Sequence, residues 1–479
     1  MKKYLLIFAV VLLAATGILL AACTEKTIDD DCLSYEMNLS LADNMLSGEQ
    51  TVRYKNIYVE GLGQSVFHLY PNAYAQDAVN PAYTSELASY GGIEVSSVTV
   101  NGEKAEFSLS EDKEYLTVTH AALGMGEEIE FGFTFVTTVP KGMLRLSECD
   151  GAYTLSGFYP QLSVYDGECF RTDKFSAIGD PIYSSVADYS VTFECDKSLV
   201  VCSSVKNGET VTEGERQKIK MEGEDIRDFA IICNADYNVL SAKAGEITVY
   251  YFYESDENAQ QTLDTAVSAI ETFGNAFGAY PYETYTVARA PFMCDGMEYS
   301  GISLIAEVCT DVCDAVLHET AHQWWYGAVG SDCINESYMD EGLATFSAAY
   351  YYSLKGDDAK FNEEIGAIKR AYSSYEKLQN RRKTGMNLAM DKPIYEYTEY
   401  QYTMVEYFKG CMMFENFYEL YGKEKFEACL KKYYEDNKFR IGGKKAFLAA
   451  AEKTMGDIKG LMDGWTGEKI VATTFAEAE

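Results

Sequence analysis

Histidine is scarce: the 479-residue chain has only four, His68, His120, His318 and His322. Any site built on imidazole must draw on these. Positive charge is also in short supply, with 40 Lys and Arg against 74 Asp and Glu and a formal net charge of −34. Nucleic acid and anionic membrane surfaces repel such a chain, which argues against direct binding to either. The basic run at Arg381, Arg382 and Lys383 reads as a solvated loop. The acidity favours cationic substrates at long range, although a solubility role explains it equally well. A regular cysteine framework is missing too. Thirteen cysteines leave twelve once Cys23 is set aside, an even number that suits disulfides in an exported chain. Their spacings form no pattern, so free buried thiols fit as well and no pairs are assigned. Cys309 and Cys313, four apart with no second pair, are not a zinc ribbon and read as packing residues. No internal repeat is visible.

What is present is enough apolar sequence for two cores, 47% hydrophobic and 14% aromatic. At the N-terminus, Lys2 and Lys3 precede an apolar run from Tyr4 to Ala22 that ends in Leu20-Ala21-Ala22-Cys23. This reads as a secretory signal over 1–22. Its ending resembles a bacterial lipoprotein cleavage site, which implies a lipid on Cys23, an acidic tether over 23–32 and an extracytoplasmic, membrane-anchored protein. An uncleaved anchor is the alternative, since the run nearly suffices to span a bilayer. From 33 to 242, stretches such as "GEEIEFGFTFVTT" alternate apolar and polar residues between turns such as "VNGEK", the pattern of an antiparallel β domain. From 243 to 479 the pattern turns helical, as in "NAQQTLDTAVSAIETFGNAF", with a strand at "YETYTVARAPF" and further helices over 360–463.

Two of the four histidines fall in "DVCDAVLHETAHQWWYG", which has no proline or glycine before Gly327 and reads as a helix. Four histidines give this spacing by chance in about one chain in forty, and Glu319 between them makes it rarer. At 3.6 residues per turn His318 and His322 share a face, where neutral imidazoles bind one zinc ion, with Glu319 placed to hold a water. A catalytic zinc takes three protein ligands. A third histidine six residues after His322 would mark another class of zinc protease, but that position is Ala328. Downstream, "NESYMDEGLATFSAAYYYSL" reads as a second helix with Glu341 near its start, eighteen residues lying between it and His322.

This arrangement, His-Glu-x-x-His, eighteen residues, then Glu, resembles the aminopeptidase N family of zinc peptidases, among the gluzincins. "DGMEYSG" at 295–301 is similar to that family's exopeptidase motif, although Asp295 and Tyr299 depart from its commonest form. "VEYFKG" at 405–410 resembles its catalytic tyrosine segment, and "FYPQLSVYDGE", "GDPIYSSVADYSVTF" and "YEMNLSLADNMLSGEQTVRYKN" resemble its N-terminal β domain. The resemblance runs from about Cys32 to the end. It implies an N-terminal antiparallel β domain followed by a thermolysin-like α+β zinc-peptidase domain. One Zn2+ would be held by His318, His322 and Glu341. Glu319 would act as general acid and base and Tyr407 as oxyanion donor. Gly296, Met297 and Glu298 would bind substrate, with Glu298 holding the free amino group of a peptide. Gln161 is a candidate for a second amine ligand. The chain stops soon after "LMDGWTGEKIV", so the family's long helical C-terminal domain is not expected. A thermolysin-type endopeptidase and a catalytically silent peptide-binding lipoprotein are the alternatives. The first has no use for Glu298, and the second need not keep Glu319 and both histidines.

Overall fold

The computed structural model describes residues 32–58, 61–83, 85, 87–382 and 388–467. The leader over 1–22 and Cys23 lie outside the described residues, as does Lys383 of the basic run. Among the described residues no helix is long and apolar enough to cross a membrane.

Alternation in "LSYEMNLSLA" and "MLSGEQTVRYK" turns every second side chain inward, so Leu33–Ala42 and Met45–Lys55 form a hairpin with one apolar face. Its two-residue turn needs left-handed backbone, and Asp43 and Asn44 supply it at φ 48° and 61°. This hairpin lies in an eight-stranded sheet, beside which two four-stranded sheets complete the first domain. Every strand pair of this domain is antiparallel but one: Leu33–Ala42 runs parallel to Ala187–Asp196. The second strand returns after a long excursion through the smaller sheets, so no tight turn fixes its direction, and apolar alternation carries no directional signal.

The second domain has a five-stranded sheet in the order Asn238–Ala244, Ile247–Tyr253, Thr284–Ala290, Ile302–Ala306, Gly296–Tyr299. Asn238–Ala244 pairs with the second-domain strand Ile247–Tyr253, so the change of sheet precedes the division expected after 242. A hairpin strand's partner, not its own alternation, decides its domain. Five helices matter for the site: α1 (Ala259–Phe277), α2 (Val312–Ala321), α3 (Glu341–Leu354), α4 (Asp358–Arg382) and α5 (Gly410–Tyr421). Arg381 and Arg382, expected in a loop, are the last residues of α4. Each domain has its own apolar core.

Two adjacent residues of the β domain join the halves beside the site. Buried Arg227 donates from Nε to Tyr326 O (2.6 Å), from Nη1 to Ser184 O (2.9 Å) and from Nη2 to Arg440 O (3.1 Å). Asp228 accepts from Ser300 N–H and from the Tyr326 hydroxyl, both at 2.9 Å. The hairpin bearing "GMEYSG" and the segment after the histidines are thus tied to the same β-domain strand end. All twelve described cysteines are free thiols, and Cys313 accepts a hydrogen bond from Thr265 Oγ1 (3.5 Å).

Candidate metal centre and cleft

Helix α2 starts at Asp311, whose side chain accepts from Asp314 N–H, and carries His318 and Glu319 in its last turns. The regular helix ends at Ala321, with His322 closing the final turn, and the chain continues as a π-helical turn over Gln323–Ala328. Gln323 pins this end to the edge hairpin, donating to Tyr299 O (3.0 Å) and accepting from Gly301 N–H (2.8 Å). Ser303 Oγ donates to Glu319 O (3.2 Å). Helix and edge strand therefore hold a fixed relation, which sets Glu319 beside Glu298.

Glu341 is the first residue of α3, which packs against α2 and α5. The approach of α3 to α5 is close enough to require glycine on both sides: a Cβ at Gly342 would fall 2.8 Å from Gly410 Cα. That contact brings the π-helical turn Thr403–Lys409, which carries Tyr407, over the start of α3. A π turn spends its extra residue at functional positions more often than elsewhere.

His318 Nε2, His322 Nε2 and Glu341 Oε2 form a small triangle. The two nitrogens are 3.0 Å apart, and each is 3.3 Å from the carboxylate oxygen. Ligands at about 2.0–2.1 Å around a tetrahedral zinc ion stand about 3.3 Å apart, so these donors fit the ion by chemistry and by spacing. His318 is held towards the neutral imidazole by burial. Burial would raise the Glu341 carboxyl, but hydrogen bonds to both histidines outweigh it and keep it below the usual range. His322 Nδ1 lies 2.6 Å from Asp340 Oδ1, the carboxylate partner that orients a metal-binding imidazole. Sequence reasoning passed over Asp340, although its place directly before Glu341 was a signal that could have found it.

Beside the triangle, Glu319 is buried, and its Oε2 has no hydrogen-bond partner among the described residues. Burial raises its pKa well above the carboxylate range. The close fit explains Gly296, where a Cβ would lie within 2.4 Å of Glu319 Oε1. Tyr407 Oη donates to Glu341 Oε1 (2.5 Å), and its ring stacks at 5.8 Å on that of His318. Burial keeps the phenol protonated, as a donor. Met297 and Glu298 sit on the edge strand, and Glu298 is 3% exposed with no hydrogen bond to its carboxylate from any described residue. Burial, then the nearby Asp180, pushes Glu298 far up.

These residues line one cleft of about 760 Å³ between the domains, together with Arg145 and Asp180, which the sequence did not single out. Gln161 is not among the lining residues; it is buried in the short strand Gln161–Leu162, paired with His68. The other two histidines are elsewhere as well: His68 is buried against Tyr70, and His120 bonds Ser65 Oγ at 3.0 Å.

Residues 261–465 match the peptidase family M1 domain. That segment contains both histidines of the triangle, Glu319, Glu341, Glu298 and Tyr407. Aminopeptidase 2 of Candida albicans is 25% identical over 209 residues, covering 38% of this chain and 22% of that protein. Aminopeptidase M1-B of Oryza sativa subsp. japonica is 21% identical over 402 residues, covering 74% of this chain and 43% of its own length. The chain thus spans less than half the length of these aminopeptidases. The M1 zinc metallopeptidase of Deinococcus radiodurans superposes with a TM-score of 0.69 at 17% identity, covering 92% of this chain and 95% of its own. A mutant of that protein, solved with a Tyr-Ser-Ala substrate, gives 0.68 at 16% identity. Family M1 domain and fold thus agree with the two-domain architecture, and the His/Glu triangle is the place where this domain would hold its single zinc ion.

Proposed function

We propose that this protein is a zinc-dependent aminopeptidase of the family M1 type, hydrolysing the first peptide bond of peptides with a free N-terminus. The observation that carries the reading is Glu298, a buried carboxylate in the cleft with no hydrogen-bond donor among the described residues, beside Glu319 and the metal-binding triangle. Burial holds Glu298 towards its neutral form in the empty cleft, and a cationic ligand favours the ionised carboxylate and pairs with it. The α-ammonium of a peptide is such a ligand.

A zinc ion held by His318, His322 and Glu341 supplies a Lewis acid that polarises a carbonyl oxygen and lets water ionise near neutral pH. Glu319 takes the proton of the attacking water on its open Oε2 and passes it to the leaving amine. Tyr407 donates its hydroxyl hydrogen to the oxygen on which charge develops. Glu298 anchors the ammonium, so that only the first peptide bond reaches the reacting groups.

Glu298→Ala should raise KM for aminoacyl amides strongly while sparing zinc content, since truncating such a buried charge pair costs about 2–5 kcal/mol. N-acetylated amides should be ignored by the unaltered enzyme. Steady-state kinetics on matched free and acetylated amides decides this, and equal turnover of both would favour the endopeptidase reading.

We further propose that the chain is exported and anchored through a lipid on Cys23. Support comes from Lys2, Lys3, the apolar run and the small residues Leu20-Ala21-Ala22 before the cysteine. Mass spectrometry of the mature N-terminus should find a diacylated or triacylated Cys23 as residue one. An intact Met1, or cleavage at another bond, contradicts it.

A further inference from the structure

Gly296–Tyr299 is the last strand of its sheet, paired on one side only, with Ile302–Ala306, and it lines the cleft. Its open side offers main-chain hydrogen bonds to an extended peptide. Glu319 lies beside it, 5% exposed and with Oε2 unpartnered among the described residues, and a Cβ at Gly296 would fall 2.4 Å from its Oε1. A peptide with its ammonium at Glu298 and its leaving amine at Glu319 therefore runs from Glu298 past Gly296, against the strand direction. The next residue on that path is Asp295.

Asp295 O accepts from Ala306 N–H (2.9 Å), and Ala306 O accepts from Cys309 N–H (3.1 Å), so the chain turns towards α2 beside Asp295. Burial, then Asp295 and more weakly Asp311, pushes the Cys309 thiol up, so both carboxylates stand near that one thiol. Both also line the cleft. Asp311 caps α2 about two turns before His318, about 10 Å along the axis. An extended peptide covers that length in about three residues. Neither Asp295 nor Asp311 has an ion-pair partner among the described residues. Asp314, the third acid of this stretch, is engaged by the Tyr352 hydroxyl (2.7 Å), and Lys360, whose charge reaches it, pairs with Glu364. Arg145 is the only lysine or arginine among the described residues lining the cleft, and Asp180 pairs with it. Two carboxylates thus remain open to a cation just downstream of the reacting groups. We infer that Asp295 and Asp311 select peptides carrying a lysine or arginine after the cleaved bond, as the second or third residue. The inference rests on the aminopeptidase reading and narrows its substrate class.

The test measures kcat/KM from initial rates of alanine release from Ala-Lys-Ala-Ala and Ala-Ala-Lys-Ala, and from their glutamine and glutamate counterparts. Both carboxylates are exposed, so the pairs are modest: lysine at one of the two positions should be favoured over glutamine by about 3–10-fold, with glutamate the poorest. Joint Asp295→Asn and Asp311→Asn exchange should bring the lysine-to-glutamine ratio close to one. Asparagine still caps a helix, so α2 should stand. Asp295→Lys should reverse the order of lysine and glutamate, and it carries the test if the double variant does not fold. Joint Glu209→Gln and Glu213→Gln exchange, on the exposed strand Asn207–Glu213, removes the same charge outside the cleft and should keep the ratio. Equal rates for lysine and glutamine peptides overturn the inference, as does a preference that survives the Asp295 and Asp311 exchanges or is lost equally in the Glu209 and Glu213 variant. If no peptide loses its first residue, the aminopeptidase reading itself falls and takes this one with it, so the two failures are told apart.

Discussion

Glu319→Gln is expected to lower kcat by about 10²–10⁴-fold while leaving zinc bound and KM little changed, the range general acid and base groups typically supply. Glutamine keeps the shape that Gly296 accommodates but cannot accept the water's proton. Because Oε2 of Glu319 makes no hydrogen bond among the described residues, the exchange disrupts no network on that side. Tyr407→Phe should cost about 10²–10³-fold in kcat, the usual loss when one oxyanion donor is removed. The ring would stay stacked on His318, so the fold and the metal ligands should be unaffected. Single-turnover kinetics with parallel zinc analysis checks both, and a Tyr407→Phe enzyme with full kcat would return that tyrosine to a packing role.

His322→Ala should empty the metal site and abolish activity. Outer partners of metal ligands alone are worth about 10–100-fold in affinity, and a direct ligand exceeds that. His322 is also the group that faces buried Asp340 at 2.6 Å, so its loss strands that carboxylate and should lower the melting temperature. Elemental analysis of dialysed protein should give one zinc per chain for the unaltered enzyme and almost none for the variant. Full occupancy in the variant would remove His322 from the ligand set.

Two members of the metal triangle, His318 and His322, are tied by helical period, four apart on one helix, whereas Glu341, on the next helix, was reached through the resemblance of its spacing. Glu298 and Tyr407 were reachable only through resemblance, since a glutamate on an edge strand and one tyrosine among 38 carry no local signature. Asp180 and Arg145 were invisible for a different reason. They lie 35 positions apart in the β domain and meet the site only when two domains close on each other, and no periodicity within either segment records that contact. The fold was legible to the level of domains. The direction of Ala187–Asp196 and the sheet to which Asn238–Ala244 belongs were not, because alternation reports which face is buried and not which strand lies alongside.

The most direct test of the central claim is mass spectrometry of the products formed from one unstructured peptide and its N-acetylated twin, with the zinc-loaded enzyme and again after chelation. The expected result is single amino acids released in order from the free N-terminus, no internal fragments, no products from the acetylated twin and none after chelation. Internal fragments from both peptides, or release that survives removal of the metal, would contradict it.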